Sequence, residues 1–207
     1  MNSEGTRRGA LALVGMPGAG KTLCAQHLHA RGFFTLRFGA VVVGEVRRRG
    51  LEVNPANERD VREELRARHG MSAMASLSLP KLQEALDDHH CVVIDGLYSF
   101  SEYSFLRQHL GAPTILLAIA APRHLRYQRL ASRSVRPLTP DEAAERDLRE
   151  INTLEKGGPI AIADYTLLND ASEAHLLDHL DRLLTRLGFQ PWSSMSDITR
   201  NPADECS

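Results

Sequence analysis

The sequence predicts an α/β domain in which helices cover both faces of a parallel sheet. Three observations predict it. Short apolar runs bounded by Gly, Pro or charge recur along the 207 residues and alternate with stretches of helical periodicity. Strands buried on both faces and joined by crossover helices read this way. The first run, Ala10-Leu11-Ala12-Leu13-Val14, leads straight into a glycine-rich loop and then a helical pattern. The third, Cys91-Val92-Val93-Ile94-Asp95, ends in a carboxylate, at the edge where open α/β sheets receive their ligands.

Composition agrees. The chain is long enough for one domain with a sizeable core, and 43% hydrophobic content with mixed charge fits a globular protein. A net charge of −1 supplies no broad basic field for nucleic acid. No apolar run is long enough to cross a bilayer, and the opening MNSEGTRRG lacks the apolar core of a signal peptide. Cys24, Cys91 and Cys206 are scattered and suit a reducing compartment. The expected location is cytoplasmic. Only three of the basic residues are lysines, Lys21, Lys81 and Lys156, and one of them stands in the glycine-rich loop. A thin ammonium stem fits inside a small loop where a planar guanidinium does not.

In chain order, strands are expected at 10–14, 33–38, 91–95, 114–120 and 164–168. Helices are expected at 20–31, stopped by Gly32; at 40–49, stopped by Gly50; and at 57–69, stopped by Gly70. A longer helical stretch, 72–87, is interrupted or kinked at Pro80. Ser101 is the expected cap of a helix over 102–110, and an Arg-rich helix follows at 122–132. Thr139-Pro140-Asp141-Glu142 is a capping box with Pro at the first helical position, so a helix should run 140–155. The last helix, 172–187, repeats leucine at helical spacing and stops at Gly188. Residues 189–207 form a polar, turn-rich tail in which Trp192 is a candidate for docking on the body. The resulting domain spans 1–188.

Gly15-Met16-Pro17-Gly18-Ala19-Gly20-Lys21-Thr22 satisfies G-x-x-x-x-G-K-[ST], between a strand and a helix. Such a loop curls until successive N–H groups face phosphate oxygens, and the helix N-terminus adds its partial positive charge. Lys21 then reaches the β- and γ-phosphates of a nucleotide, and the Thr22 hydroxyl meets Mg²⁺. Asp95, across the sheet end, is the second candidate for Mg²⁺, with a water bridging the carboxylate to the ion. Arg123, Arg126, Arg129, Arg133 and Arg136 crowd one segment, with Arg126, Arg129 and Arg133 spaced along one helix face, and Arg146 and Arg149 follow. Guanidinium groups closing over a transferring phosphoryl group stabilise its charge and exclude water. The alternative is a solvated face pairing with Asp141, Glu142, Glu145 and Asp147.

With these pieces in place, the chain resembles the small P-loop kinases of the adenylate kinase and dephospho-CoA kinase type. It is most similar to the dephospho-CoA-kinase-like nucleotide kinases of bacteria and archaea. The matching segments are GMPGAGK (15–21), VIDGLYSFSEY (93–103), RPLTPDEAAERD (136–147) and GGPIAIADYTLLND (157–170). The resemblance implies a P-loop NTPase fold, a three-layer αβα domain whose five-stranded parallel sheet has the order 2-3-1-4-5. It implies a helical acceptor-binding lobe over about 40–90 and a lid over about 123–150. It implies Arg129 and Arg133 as lid arginines, and Asn169-Asp170 near the adenine; the arginine segment itself adds Arg146 as a further candidate for touching phosphate. The nucleotide is expected on Gly15, Pro17, Gly18, Ala19, Gly20, Lys21, Thr22 and Asn169, with Mg²⁺ and ATP as cofactors and Lys21 and Asp95 at the chemistry.

Two departures from that pattern stand out. Phe38-Gly39 is followed by Ala40 where the relatives carry Asp, and Tyr98 stands where they tend to carry Arg. A hydroxyl acceptor gains from a positioned base, whereas a phosphate acceptor is already ionised. The loss at Ala40 therefore weakens a dephospho-CoA kinase activity more than a nucleoside monophosphate kinase activity. Glu45, Glu63 or Asp95 remains as a base, and Arg37 or Arg47 as a replacement cation. A regulatory ATPase with a protein partner is the alternative from another class. Lys156-Gly157-Gly158-Pro159 is either a nucleotide contact or a plain turn, and His175 and His179 are read as a solvated pair.

Overall fold

The computed structural model describes residues 8–191. Its sheet contains β1 (Gly9–Val14), β2 (Phe34–Arg37), β3 (Cys91–Asp95), β4 (Thr114–Ala120) and β5 (Tyr165–Leu168). All pairings are parallel, and the order is β2-β3-β1-β4-β5. Every residue of β1 is buried, because β1 lies at the centre with a helical layer on either side. That is why its sequence is an unbroken apolar run rather than an alternating one.

Successive residues of a strand point to opposite faces, so the sheet divides the core in two. Leu11, Leu13, Val93, Leu117 and Ile119 face α1 (Lys21–Ala30) and α9 (Glu173–Leu187), meeting Cys24, Leu28, Leu176, Leu180 and Leu184. Ala10, Ala12, Val92, Ile94 and Leu116 face the other way, toward α2 (Gly39–Arg48), α3 (Pro55–His69), α4 (Ala73–Asp88) and α5 (Phe100–His109). The expected insertion between β2 and β3 is therefore not uniform. α2 leaves the end of β2 and α3 packs on α2 and α4, while α4 lies directly on β3 and α5. Leu82, Ala85 and Leu86 of α4 belong to the same core as Val92 and Ile94.

Beyond β4 come α6 (Arg123–Ser132) and α7 (Pro140–Asn152), which pack together. The short α8 (Gly157–Ala161) then leads to β5.

The strands fall within a residue or so of their expected bounds, and Gly188 ends α9 in the left-handed conformation at φ 70. Three local expectations change. The cap of α5 is Ser99, not Ser101: its hydroxyl accepts from Glu102 N at 2.9 Å while Glu102 Oε2 accepts from Ser99 N at 3.1 Å. Ser101 instead donates to Glu155. α4 continues through Pro80, its buried face held on the sheet by residues on both sides of the proline. α7 ends at Asn152, and Glu155 adopts φ 53, which folds the chain back so that Lys156 meets Glu150. The Thr139–Glu142 capping box forms as expected. Trp192 and Cys206 lie outside the described residues. Cys24 and Cys91 are buried free thiols, each pushed up to about 12 by burial, which leaves them inert. The rings of His175 and His179 lie 4.1 Å apart. Among the described residues, no helix is long and apolar enough to cross a membrane.

The two candidate caps of α5 separate by mutation. Ser99→Ala should lower stability by about 1 kcal/mol, and Ser101→Ala by less than about 0.5 kcal/mol, measured as the shift in the urea unfolding midpoint.

Candidate functional site

The glycine-rich loop turns between β1 and α1 with three positive φ values, at Gly15 (142), Gly18 (77) and Gly20 (110). Space as well as conformation demands glycine. A Cβ on Gly15 would lie 2.3 Å from the carbonyl oxygen of Ile119 in β4, and one on Gly20 would lie 2.3 Å from Asn169 Nδ2. Neither contact can be relieved without moving the sheet or its polar support.

The loop's carbonyls are taken by donors from several elements. Lys21 Nζ donates to Gly15 O at 2.7 Å and to Met16 O at 3.2 Å. Arg126 Nη1, from α6, donates to Pro17 O at 3.0 Å. Asn169 Nδ2, just after β5, donates to Ala19 O at 2.8 Å, and its own backbone N–H reaches Ala120 O at 2.7 Å. Asn169 is buried, and Arg129 holds it in turn, donating to its backbone O at 3.1 Å and its Oδ1 at 3.3 Å.

In front of the loop lies a cavity of about 240 Å³, lined by Pro17, Gly18, Lys21, Thr22, Arg37, Asp95, Tyr98, Leu130, Arg133, Arg146 and Lys156. It gathers the ends of β1, β2 and β3 with α6, α7 and the turn before α8. Five of these side chains are cations and one is a carboxylate. Thr22 and Asp95 bring a hydroxyl and a carboxylate to the same space as Lys21, which is a donor set that suits Mg²⁺, a hard cation that keeps several waters.

The arginines sort into different surroundings. Arg126 is buried and forms a two-pronged pair with Asp147, Nη1 to Oδ1 at 2.9 Å and Nη2 to Oδ2 at 2.6 Å, while Tyr127 Oη donates to Asp147 Oδ2 at 3.2 Å. The pair joins α6 to α7 and both to Pro17. Arg129 stands behind the loop against Asn169 and is not among the residues lining the cavity. Arg133 lines it, but from beyond the end of α6, because the helix stops at Ser132. The single face expected for Arg126, Arg129 and Arg133 is therefore broken, and Arg133 donates to the carbonyl of Arg136 in the turn between the two helices. Arg146 lines the cavity from α7 and donates to Glu150 Oε1 at 2.9 Å. Arg37 reaches the cavity and Arg47 is not among its lining residues. Glu45 is bound by Arg48 and Arg49, whose hydrogen bonds lower its carboxyl to about 2.

Two residues gain weight: Glu150, which sequence reasoning did not single out, and Lys156, which it left as either a nucleotide contact or part of a plain turn. Glu150 is buried and shared, its second oxygen accepting from Lys156 Nζ. Burial works against its charge, yet Lys156 and Arg146 hold its carboxyl below the usual range. Lys156 is 2% exposed, and its ammonium sits 4.5 Å from the centre of the Tyr98 ring. The scarcity of lysine was the available signal: two of the three lysines line this one cavity. The Lys21 ammonium is lowered to about 7, first by burial and then by the neighbouring charge of Lys156.

Comparison with known proteins bears on this site and fold. The sequence model of a family described as AAA domain matches residues 11–152. A UPF0200 protein of Hyperthermus butylicus is 35% identical over 189 residues, covering 90% of this chain and 99% of that one. A UPF0200 protein of Thermococcus onnurineus is 32% identical over 180 residues, covering 86% and 97%. Among solved structures, TT1252 from Thermus thermophilus superposes with a TM-score of 0.62 at 21% identity, over 87% of this chain and 98% of that one. Shikimate kinase from Acinetobacter baumannii in complex with shikimate gives 0.53 at 21% identity, over 88% and 94%. A gluconokinase from Sinorhizobium meliloti gives 0.52 at 14% identity, over 88% and 95%. These likenesses show the P-loop kinase fold, with its sheet order.

Removing one partner of the Arg126–Asp147 pair strands the other charge in the interior. Asp147→Ala should cost about 3–5 kcal/mol, read from chemical unfolding. Lys21 supplies a pH signature. Its folded pKa of about 7 lies below that of the unfolded chain, so its contribution makes stability rise with pH from about 7 toward the ordinary lysine value. A bound polyphosphate favours the ammonium again. Nucleotide binding at pH 8 should therefore take up close to ~1 proton, measured by calorimetry in buffers of different ionisation heat, and Lys21→Met should abolish the uptake.

Proposed function

The chain belongs to the family of AAA domains and, through relatives matched nearly end to end, to the UPF0200 proteins, and we propose that it is a cytoplasmic phosphotransferase moving the terminal phosphoryl group of Mg²⁺-ATP to a phosphate-bearing acceptor, a nucleoside monophosphate. The observation that carries this reading is the imbalance of charge in the cavity, where Lys21, Arg37, Arg133, Arg146 and Lys156 face Asp95. The loop, Lys21 and a metal ion are enough for a triphosphate. Arg133 and Arg146 can meet the phosphoryl group in transit, which leaves Arg37 and Lys156 for a second anionic group beside it. Kinship in fold with proteins named shikimate kinase and gluconokinase supports phosphoryl transfer as the reaction class.

In the proposed reaction the cradle Gly15, Pro17, Gly18, Ala19 and Gly20 holds the donor phosphates, and Lys21 lies along them. Thr22 and Asp95 would hold Mg²⁺, which supplies charge neutralisation at the phosphate oxygens. An anionic oxygen of the acceptor phosphate attacks the γ-phosphorus. The bond from that phosphorus to the β–γ bridging oxygen breaks, and its electron pair leaves with ADP. Arg133 and Arg146 offset the charge of the group in transit, and closure of α6 and α7 keeps water out. Arg129 acts through Asn169, which steadies the cradle from the side expected to carry the adenine.

The hydroxyl-phosphorylating alternative of dephospho-CoA kinase type requires a base. Glu45 is engaged by two arginines, Glu63 is exposed on α3, and the cavity's one carboxylate, Asp95, is the metal candidate. The second class of function, a nucleotide-dependent switch with a protein partner, is favoured by Leu148 and Ile151, which are 61% and 47% exposed on α7.

A panel of nucleoside monophosphates and dephospho-CoA, with ADP release as the readout, tests the proposal. At least one monophosphate should stimulate ADP formation, and Lys21→Ala should lower kcat/KM by about 10³. Hydrolysis by water that no acceptor stimulates would refute the transferase reading and favour the switch.

A further inference from the structure

Lys156 is the feature of the cavity that the donor nucleotide does not require. It sits on the turn between α7 and α8, far in sequence from the glycine-rich loop, yet its buried ammonium lines the same cavity as Lys21. Two lysine ammoniums brought together in a partly desolvated space repel one another. Such an arrangement is tolerable when each has its own anion. Glu150 cannot neutralise the group, because it divides its two oxygens between Arg146 and Lys156, leaving one carboxylate against two cations.

The position of Lys156 says which anion it serves. The sheet order puts β3 and then β2 on one side of β1, with β4 and α6 on the other. The ammonium of Lys156 rests 4.5 Å from the centre of the Tyr98 ring, and Tyr98 follows β3. Tyr98 folds back toward the strand end, within 3.4 Å of where a Cβ of Gly96 would be. Arg37, the last residue of β2, lines the same side. A loop carrying the donor phosphates occupies the end of β1. Lys156, Arg37 and Tyr98 therefore bring one ammonium, one guanidinium and one aromatic ring to the cavity wall beside β3. The turn that carries Lys156 is anchored twice on α5: Ser101 donates to Glu155 at 2.9 Å, and Gly158 lies so close to Phe100 that a Cβ there would meet the Phe100 Cβ at 3.0 Å and its ring at 3.1 Å.

We propose that Lys156, with Arg37 and Tyr98, forms the subsite that binds the phosphate of the acceptor and so selects phosphate-bearing acceptors over plain alcohols. The subsite rests on the phosphotransferase reading above and deepens it. Lys156 holds the acceptor phosphate on its side away from Tyr98, whose ring face steadies the ammonium. Glu150 positions Lys156 and Arg146 together, so the acceptor subsite and the α7 arginine share one carboxylate.

The test is equilibrium binding to the full chain by calorimetry. A Mg²⁺ complex of a non-hydrolysable ATP analogue is titrated first, and inorganic phosphate and each nucleoside monophosphate are then titrated into the saturated protein. At least one of these probes should bind the wild type. Lys156→Met should weaken that probe at least tenfold while changing the affinity for the ATP analogue less than about twofold, and Lys156→Arg, which keeps a cation beside Glu150, should recover most of the loss. Thermal unfolding of both variants separates binding from folding, since an unfolded Lys156→Met would also lose the ATP analogue, and Lys156→Arg then decides by its ratio of the two affinities. An unchanged probe affinity in Lys156→Met, an equal loss of probe and ATP analogue in a folded variant, or a wild type that binds none of the probes would each overturn the subsite. Failure of the transferase reading has a different signature. The wild type would bind a monophosphate through Lys156 yet form no ADP in response to it.

Discussion

The carbonyl oxygens of the Gly15–Gly20 loop need hydrogen-bond donors, and the rest of the site is arranged around that need. A loop that presents backbone N–H groups to a ligand turns carbonyls the other way, and a buried carbonyl without a partner is costly. The donors come from Lys21 for Gly15 and Met16, from Arg126 for Pro17, from Asn169 for Ala19 and from the backbone of Cys24 for Gly20. These groups belong to α1, to α6 and to the end of β5. The loop is thereby locked to its own helix and to the β4–β5 side of the sheet, and the helices expected to close over the ligand are tied to the floor beneath it through Arg126 and its partner Asp147.

Pairing then decides which cations remain for a ligand. Arg126 is committed to Asp147 and Pro17, and Arg129 is committed to Asn169. Arg146 and Lys156 divide one carboxylate, and Arg133 holds a carbonyl. The result is a positive cavity at the strand ends of a chain whose net charge is −1. Its field is local, made by a few partly desolvated groups, which is the arrangement suited to a small polyanion rather than to an extended one.

Much of the architecture was legible because it rests on short-range physics. Strands buried on both faces must be apolar at consecutive positions, and the glycine stops and the Thr139–Glu142 box are local events. The sheet order came through the resemblance carried by four motifs, since strand order is a long-range choice. Legibility failed in two ways. At α5 the signal was local and was read two residues late, since Ser99 and Glu102 make the same reciprocal box as Thr139 and Glu142; at α7 a contact made by folding outranked the local preference. Helical pattern through residue 155 gave way to a turn because Lys156 gains Glu150 by folding back.

For the site, the linear pattern was sufficient to mark the phosphate loop, Lys21, Thr22 and Asp95, because a strand, a tight turn and a helix N-terminus are contiguous along the chain and their chemistry follows from spacing. The division of labour among the arginines was beyond it. Arg126, Arg129 and Arg133 look alike as a periodic row, and they differ only in what faces them: a buried carboxylate, a buried amide, or the cavity. Lys156 is the sharpest case. Nothing in its neighbours along the chain distinguishes a turn from a binding group, and its role depends on Glu150, Tyr98 and Lys21 arriving from three other elements. Charge interactions of that kind are set by distance and burial in space, quantities that exist only once the chain has folded.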